Sequence, residues 1–209
     1  MVYSVRAMTK EDIAQVNEID REAFPTQWPP PDYQRELNNR LAHYIVVFDG
    51  SRSIEVPAVE PRRLATRIKR LFQRNSPVPT AVEPAPSRQQ YIVGFAGIWI
   101  MADEAHITNI AVRKGYQRRG IGELLLISTI DLAQGLRASI MTLEVRISNQ
   151  VAQNLYRKYG FGQMGIRHGY YIDNKEDAII MSTESINSTL FQERLKQLKE
   201  GLARKISDL

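Results

Sequence analysis

Two spacings of apolar residues take turns along the chain, one of period two and one near 3.6, and together they predict alternating strands and helices. A short strand is expected at 2–6, then a helix over about 9–23. Thr9 is placed to cap that helix, with Asp12 three positions on as an imperfect capping box, and Ile13, Val16, Ile19, Asp20 and Ala23 form its stripe. After the turn-forming FPTQWPPP the pattern predicts a short helix over about 31–41 and a strand, HYIVVF, at 43–48. YIVGFAGIWIM (91–101) and HITNIAV (106–112) read as strands joined by a turn at DEAH. The helix over 120–134 carries Ile121, Leu124, Leu125, Ser128 and Leu132 on one face and Leu126, Ile127 and Ile130 on the other, so it should be largely buried. SIMTLEVRI (139–147) alternates, with Met141, Leu143, Val145 and Ile147 to one side and Thr142, Glu144, Arg146 and Ser148 to the other. A helix at 149–160 stops at Gly160. FGQMGIRH and DAIIMST are strands flanking a loop, GYYIDNKE, and an amphipathic helix with Phe191, Leu195, Leu198, Leu202 and Ile206 follows. There is no internal repeat, and the alternation predicts an α/β or α+β sheet domain.

At 209 residues, 43% hydrophobic and 24% charged, the chain suits one soluble globular domain with some decoration. No apolar run approaches the roughly 18 residues that span a bilayer. The opening MVYSVRAMTKEDIAQ has neither a signal-peptide apolar core nor a transit-peptide composition, so a cytoplasmic protein is expected. Cysteine is absent, which excludes disulfides, a thiolate-ligated zinc and a thiol nucleophile. His43, His106 and His168 are scattered without metal-ligand spacing, so no metal is assigned and each reads as a structural histidine. The net charge of +5 is concentrated. Residues 51–90 hold eight Arg and Lys against three acids, while the rest of the chain balances, and the same stretch carries six of the ten prolines. It reads as a basic, Pro-rich insertion. Within it Pro61 suits a first helical turn, and Leu64, Ile68, Leu71 and Phe72 would form one apolar stripe.

The densest chemical signal lies in VRKGYQRRGIG (112–122), between a strand and a buried helix. The first N–H groups of a helix lack intrahelical acceptors and sit at the positive end of its dipole, so this turn suits an anion. Gly120 and Gly122 would let a phosphate approach bare backbone, with Arg113, Lys114, Arg118 and Arg119 around the mouth. A Walker loop is excluded because Glu123-Leu124 follows Gly122, and a dinucleotide fingerprint is excluded by Leu125.

Gln117-Arg118-Arg119-Gly120-Ile121-Gly122 resembles the pyrophosphate loop of the GCN5-related N-acetyltransferases (GNAT), in which backbone amides hold acetyl-coenzyme A. LEVRISNQVAQNLYRKYGF (143–161) and GYYIDNKEDAIIM (169–181) resemble the second half of that core and the C-terminal signature of protein N-terminal acetyltransferases. Together with NIAV, these phrases are similar to the RimI-like ribosomal-protein-alanine acetyltransferases over about 105–181. The resemblance implies a GNAT-like mixed, mostly antiparallel central sheet flanked by helices, and the chain reads as one domain over 1–186 that carries the 51–90 insertion, with a helical extension at 187–209. It implies acetyl-coenzyme A as cosubstrate and a protein N-terminus as acceptor. The insertion lies outside it; tethering to ribosomal RNA or another acidic surface is one reading, and a solvated excursion is the other.

Acetyl transfer to an amine needs a base, because a free α-amine with a pKa of about 7.7–8.0 is mostly protonated at neutral pH. By resemblance Glu144 is that base; read alone, it could be a strand carboxylate facing solvent beside Arg146. Tyr156, twelve residues on, is implied as the acid that protonates the leaving thiolate, or else it packs with Val151, Ala152 and Tyr159. Tyr159 is expected to be structural. Asn149 would bond a pantetheine amide or simply cap its helix. Backbone groups of Ile110, Ala111 and Val112 would bind the pantetheine arm, with an N–H near Val112 stabilising the oxyanion. Arg118, Arg119, Gly120, Ile121, Gly122 and Glu123 would hold the pyrophosphate. Without cysteine, direct attack in a ternary complex is expected. The acceptor would enter between FPTQWPPPDY (24–33) and HGYYIDNKED (168–177), where Tyr170 and Tyr171 would bond its backbone or else pack as aromatics. Gln-Trp-Pro-Pro-Pro departs from the family's Pro-Trp-Ser there. Lysine and small-amine acetyltransferases, and a non-catalytic acetyl-coenzyme A or RNA-binding module, are the competing classes.

Overall fold

A seven-stranded sheet frames the protein, whose computed structural model describes residues 3–26, 29, 31–56 and 87–207. In chain order the elements are β1 (Tyr3–Ala7), α1 (Ile13–Ala23), α2 (Tyr33–Glu36), β2 (Ala42–Val56), β3 (Ser87–Met101), β4 (Glu104–Val112), α3 (Ile121–Gly135), β5 (Ile140–Arg146), α4 (Gln150–Lys158), β6 (Phe161–Tyr171), β7 (Glu176–Thr183) and α5 (Thr189–Ser207). The strands lie in the order β1-β2-β3-β4-β5-β7-β6, and every neighbouring pair is antiparallel except β4 and β5. This is the mixed, mostly antiparallel sheet expected from the sequence.

Each face of the sheet carries its own apolar layer. On one, Leu125, Leu126 and Ile130 of α3 and Leu195, Leu202 and Ile206 of α5 are buried with Met141 and Leu143 of β5. On the other, Val16 and Ile19 of α1 and Tyr33 of α2 cover Val46, Ile92 and Phe95. Each such side chain removed from water contributes about 1.5–3 kcal/mol, which is why the apolar stripes decide where the helices lie. The buried face of α3 runs through Leu125, Leu126, Ile130 and Ala133, while Leu124, Ser128 and Leu132 are only half-buried, a rotation from the expected face. A helix apolar all round does not announce its inner side.

Local chemistry explains the boundaries. Asp12 accepts hydrogen bonds from the Thr9 N–H (2.8 Å), half of a capping box, and from Nη1 and Nη2 of Arg6 at 2.6 and 2.8 Å. The turn there is 3-10 before α1 begins at Ile13. The expected 31–41 helix is a single turn. Asp32 caps it through the Arg35 N–H, but Asn38 bonds back to the Gln34 carbonyl and Asn39 accepts from the Leu41 N–H. Such side chains offer the backbone an alternative to the helix. Asp20, within the α1 stripe, is a buried carboxyl, raised above its usual range by burial and accepting the Tyr33 hydroxyl at 2.7 Å.

Two strands run well beyond their predicted ends. β2 and β3 stay paired from Ser53↔Gln90 to Val56↔Ser87, past an irregularity between Asp49 and Ser53. The basic insertion is therefore entered and left on a ladder, and 51–90 narrows to 57–86. That segment, with the helix expected around Leu64–Phe72, lies outside the described residues. The chain reverses at Ala102, which has φ +55°, so the DEAH stretch is mostly strand and β4 starts at Glu104. β6 likewise continues through Tyr171, which pairs with Glu176, so Tyr170 and Tyr171 are strand residues rather than loop residues.

Candidate active site

β4 and β5 part company along their length. Their parallel ladder runs from Glu104↔Ile140 to Ile107↔Leu143 and ends there, while β4 continues to Val112 and Glu144 to Arg146 of β5 keep only their pairing with β7 on the other edge. A bulge at Thr108 is the cause: opposite it the β3 register passes from Gly97↔Asn109 directly to Ile98↔Ile107. The bulge also reverses the parity of β4. Ala105 and Ile107 point to the α3 side before it; Ile110 and Val112 do so after it, and Ala111 joins the opposite layer. Gly97 permits this close approach, since a Cβ there would lie 2.3 Å from the Tyr44 ring and 2.6 Å from Asn109 Oδ1.

The result is a slot flanked by backbone without a ladder partner, in which the Val112 carbonyl accepts the Gln117 side-chain amide at 3.3 Å. The Arg113 N–H bonds the Val93 carbonyl of β3, so by alternation Ile110 and Val112 turn their N–H and C=O groups away from β3, into the slot. Asn109 is held by its amide, which donates to the Tyr33 hydroxyl at 3.0 Å.

The slot leads to the start of α3. Gly120 is its N-cap with φ +79°, in the left-handed region that favours glycine, and Arg118 has φ +63°. The N–H groups of Ile121, Gly122 and Glu123 form the first turn, without intrahelical acceptors. A Cβ on Gly122 would meet only Val112 Cγ2 at 3.9 Å, which places this turn against the end of β4. The side chains here divide by task. Arg118 is exposed; the Arg119 guanidinium lies 4.9 Å from the Tyr116 ring and reaches the Tyr3 hydroxyl at 3.5 Å. Arg113 is engaged by Glu18 and the Ile92 carbonyl, each at 2.8 Å. The nearly buried carboxylate of Glu123 accepts the Tyr159 hydroxyl at 2.7 Å and pairs with Lys158. What Glu123 can offer an anion is its backbone N–H.

Glu144 stands where β5 leaves β4, on the polar side of the strand, with its carboxylate only 8% exposed. Oε1 meets Arg167 of β6 at 3.1 Å and Oε2 meets His106 Nε2 of β4 at 3.1 Å. His106 Nδ1 lies 2.9 Å from Thr142 Oγ1, which donates to Glu104 at 2.5 Å. These groups, with Trp99, Met101, Tyr170 and Ile180, line an open cavity of about 350 Å³. Sequence alone assigns Glu104 and Arg167 no role, reads His106 as structural, and places Thr142 only on the Glu144 face of β5. Reading DEAH as a turn hid that Glu104 and His106 share one face of a strand, as Thr142 and Glu144 do on the next.

Tyr156 lies on the half-buried side of α4 with Ala152 and Leu155, its ring 5.7 Å from Phe161. Burial first, then Tyr171, push its hydroxyl above the usual range, so it keeps its proton. Val151 does not share that face; it is 80% exposed, off the stripe that runs through 152, 155, 156 and 159. Asn149 caps α4 through Oδ1, accepting from the Ala152 N–H at 3.1 Å. Tyr170 and Tyr171 pack edge to face at 5.2 Å. Arg167 lies over Tyr170 and Arg146 over Tyr171, the latter at 3.8 Å from the ring centre. Burial takes the Tyr171 hydroxyl up to about 12 despite Arg146.

The β6–β7 turn is tied down from several sides. Ser148, through side chain and backbone, and then Arg146 bring Glu176 down to about 2. The Thr26 hydroxyl, followed by Arg146, lowers Asp173, so the loop after α1 meets the β6–β7 turn. Gln27, Trp28 and Pro30 of that loop lie outside the described residues.

Residues 56–161 match the Acetyltransferase (GNAT) family. A Bacillus subtilis (strain 168) protein, provisionally named a ribosomal protein bS18-alanine N-acetyltransferase, is 34% identical over 179 residues, covering 85% of this chain and 93% of its own. The N-alpha-acetyltransferase RimI of Mycobacterium tuberculosis (strain ATCC 25618 / H37Rv) is 29% identical over 188 residues, 87% of this chain and 92% of its own. The crystal structure of the ribosomal-protein-S18-alanine N-acetyltransferase from Escherichia coli has the same fold, with a TM-score of 0.59 at 23% identity over 90% of this chain and 97% of that one. A sheet that opens between its two parallel strands onto a glycine-capped helix, in a chain with these relatives, belongs to the GNAT acetyltransferase family and to its RimI-like branch.

Proposed function

We propose that this acetyltransferase moves the acetyl group of acetyl-coenzyme A to the α-amine of a protein N-terminus, with an N-terminal alanine or serine of a ribosomal protein as first choice. The observation that carries the reading is the parting of β4 and β5 with Glu144 at its lip. The slot has the backbone donors an extended amide chain needs at Ile110 and Val112, and the free N–H groups of 121–123 suit a pyrophosphate. Acetyl-coenzyme A supplies an activated acyl group on a thiol leaving group. Arg118 and Arg119 add positive charge beside the α3 turn, Asn149 has an amide nitrogen left over from its cap, and Ala111 anchors the strand from behind. Glu144 takes the proton of the acceptor ammonium, the Val112 N–H faces the thioester oxygen as negative charge develops, and Tyr156, kept protonated by burial, returns a proton to the leaving sulfur. Tyr170, on the cavity wall, and Tyr171 flank the acceptor.

We read residues 1–186 as the catalytic domain and 187–209 as its extension. Incubation with acetyl-coenzyme A and three peptide classes, read by mass, tests the acceptor. N-terminal Ala and Ser peptides are expected to gain one acetyl group on the α-amine; exclusive modification of lysine side chains or polyamines would overturn the choice.

The basic segment 57–86 is proposed to hold the enzyme near ribosomal RNA through charge. Its deletion, with the β2–β3 ladder left whole, should spare activity on short peptides and weaken cosedimentation with ribosomes at low salt. Unchanged cosedimentation would leave the segment without that role.

A further inference from the structure

We propose that Glu144 does not act alone: His106 shares the proton that Glu144 removes, so that an imidazole–carboxylate pair is the base. This deepens the reading of Glu144 given above and rests on it.

Counting donors fixes the arrangement. The Thr142 hydroxyl has one proton, and it points to Glu104 Oε1 at 2.5 Å, because an ionised carboxylate can only accept. Thr142 Oγ1 must then accept from His106 Nδ1, 2.9 Å away, so Nδ1 carries a hydrogen. That leaves Nε2 facing Glu144 Oε2 at 3.1 Å. With no proton between them, a ring lone pair opposes a carboxylate. One proton turns the repulsion into an attraction between opposite charges. The pair is built to take up one proton.

The chemistry needs such a group. An ordinary glutamate takes up a proton near pH 4.3, more than three units below an α-amine at about 7.7–8.0, whereas imidazole does so near 6.5. General-base catalysis is most effective when donor and acceptor are closer matched. In the step proposed, an N–H bond of the acceptor ammonium breaks and its electron pair stays on nitrogen, which becomes the nucleophile. The proton passes by way of the Glu144 carboxylate to Nε2, where a new N–H bond forms. The imidazolium then lies between Glu144 on β5 and, through Thr142, Glu104 on β4. From β6, Arg167 holds the other Glu144 oxygen and Tyr170 stands at the cavity wall. Trp99, Met101 and Ile180 add no charge. His106 is thus a positioning residue for Glu144 and the resting place of the proton.

The test is the pH dependence of kcat with saturating acetyl-coenzyme A and an N-terminal Ala peptide. The parent should show one acid limb, set by the His106–Glu144 pair. His106→Gln should lower kcat at pH 7 by about 10²-fold. Its acid limb should move from the parental position, while acetyl-coenzyme A affinity stays unchanged. Thr142→Val removes the acceptor that favours the imidazolium, so its limb should move to lower pH. A limb unmoved in His106→Gln overturns the proposal. So does a ¹⁵N spectrum of the parent in which neutral His106 is protonated at Nε2, a measurement that needs no variant to fold. A parent that acetylates no N-terminal peptide would instead defeat the proposed function, and the nitrogen spectrum would still decide the pair.

Discussion

Replacing Gly120 with aspartate is expected to weaken acetyl-coenzyme A binding by at least about 10²-fold, since like charges brought together at an interface cost several kcal/mol and 1.4 kcal/mol is tenfold. The new carboxylate would stand at the helix start where the pyrophosphate is proposed to lie. As an N-cap it would also accept from the same first-turn N–H groups, competing from within the chain. Two further costs come with it. Gly120 has φ +79°, which costs a residue with a Cβ about 1–2 kcal/mol, and that Cβ would sit 3.0 Å from Leu202 Cδ1. Gly120→Ala carries both of those costs without the charge, so the difference between the two variants isolates electrostatics. Gly122→Ala, with only Val112 Cγ2 at 3.9 Å, should fold as the parent does, so its affinity reads how closely the phosphate approaches the bare backbone there. Calorimetric titration of the three variants decides, and an aspartate variant with parental affinity would place the coenzyme elsewhere.

Glu144→Gln and Tyr156→Phe should each lower kcat by roughly 10²–10⁴-fold, the usual worth of a positioned acid or base, with acetyl-coenzyme A affinity near the parental value. Tyr159→Phe is the internal comparison. Its hydroxyl is buried against Glu123 at 2.7 Å, three residues from Tyr156 and on the same helix side. Losing it should cost about 1.5–3 kcal/mol of stability, the usual worth of a hydrogen bond to a charged group, and leave turnover almost untouched. Single-turnover kinetics and thermal melts separate the two tyrosines. Equal kinetic losses at 156 and 159 would remove the case for an acid at 156.

How far the sequence carries depends on the range of the interaction. Met141, Leu143 and Val145 announced the inner face of β5 because alternation is a local property, and Gly120 announced a left-handed backbone that favours glycine. The bulge at Thr108 left no comparable mark. It shows only in the register of β3 against β4, with Gly97↔Asn109 on one side and Ile98↔Ile107 on the other. From that bulge follow the slot, the reversed parity of Ala111 and the turning of Ile110 and Val112 toward the gap. His106 was discounted for the same reason. A histidine without metal-ligand spacing says nothing until a parallel neighbour, thirty-six residues downstream, brings Thr142 beside it. The tether between Thr26 and Asp173 joins stretches still further apart in the chain.

α5 gives the anion-binding turn a folding dependence of its own. At its beginning Phe191 packs where a Cβ on Gly160 would be, 3.2 Å away, and near its end Leu202 and Ile206 pack in the same way on Gly120. The helix thus spans from the end of α4 to the start of α3, fastened between by Lys199 to Asp131 and by Arg194 to the Lys158 carbonyl. Contacts across some eighty residues of sequence form late, because loop closure must precede them. The turn at 120–123 should therefore acquire its backing only when α5 docks. In native-state hydrogen exchange the first amides of α3 and those of α5 should open as one unit, so that loosening a helix far along the chain loosens the coenzyme's anchoring point with it.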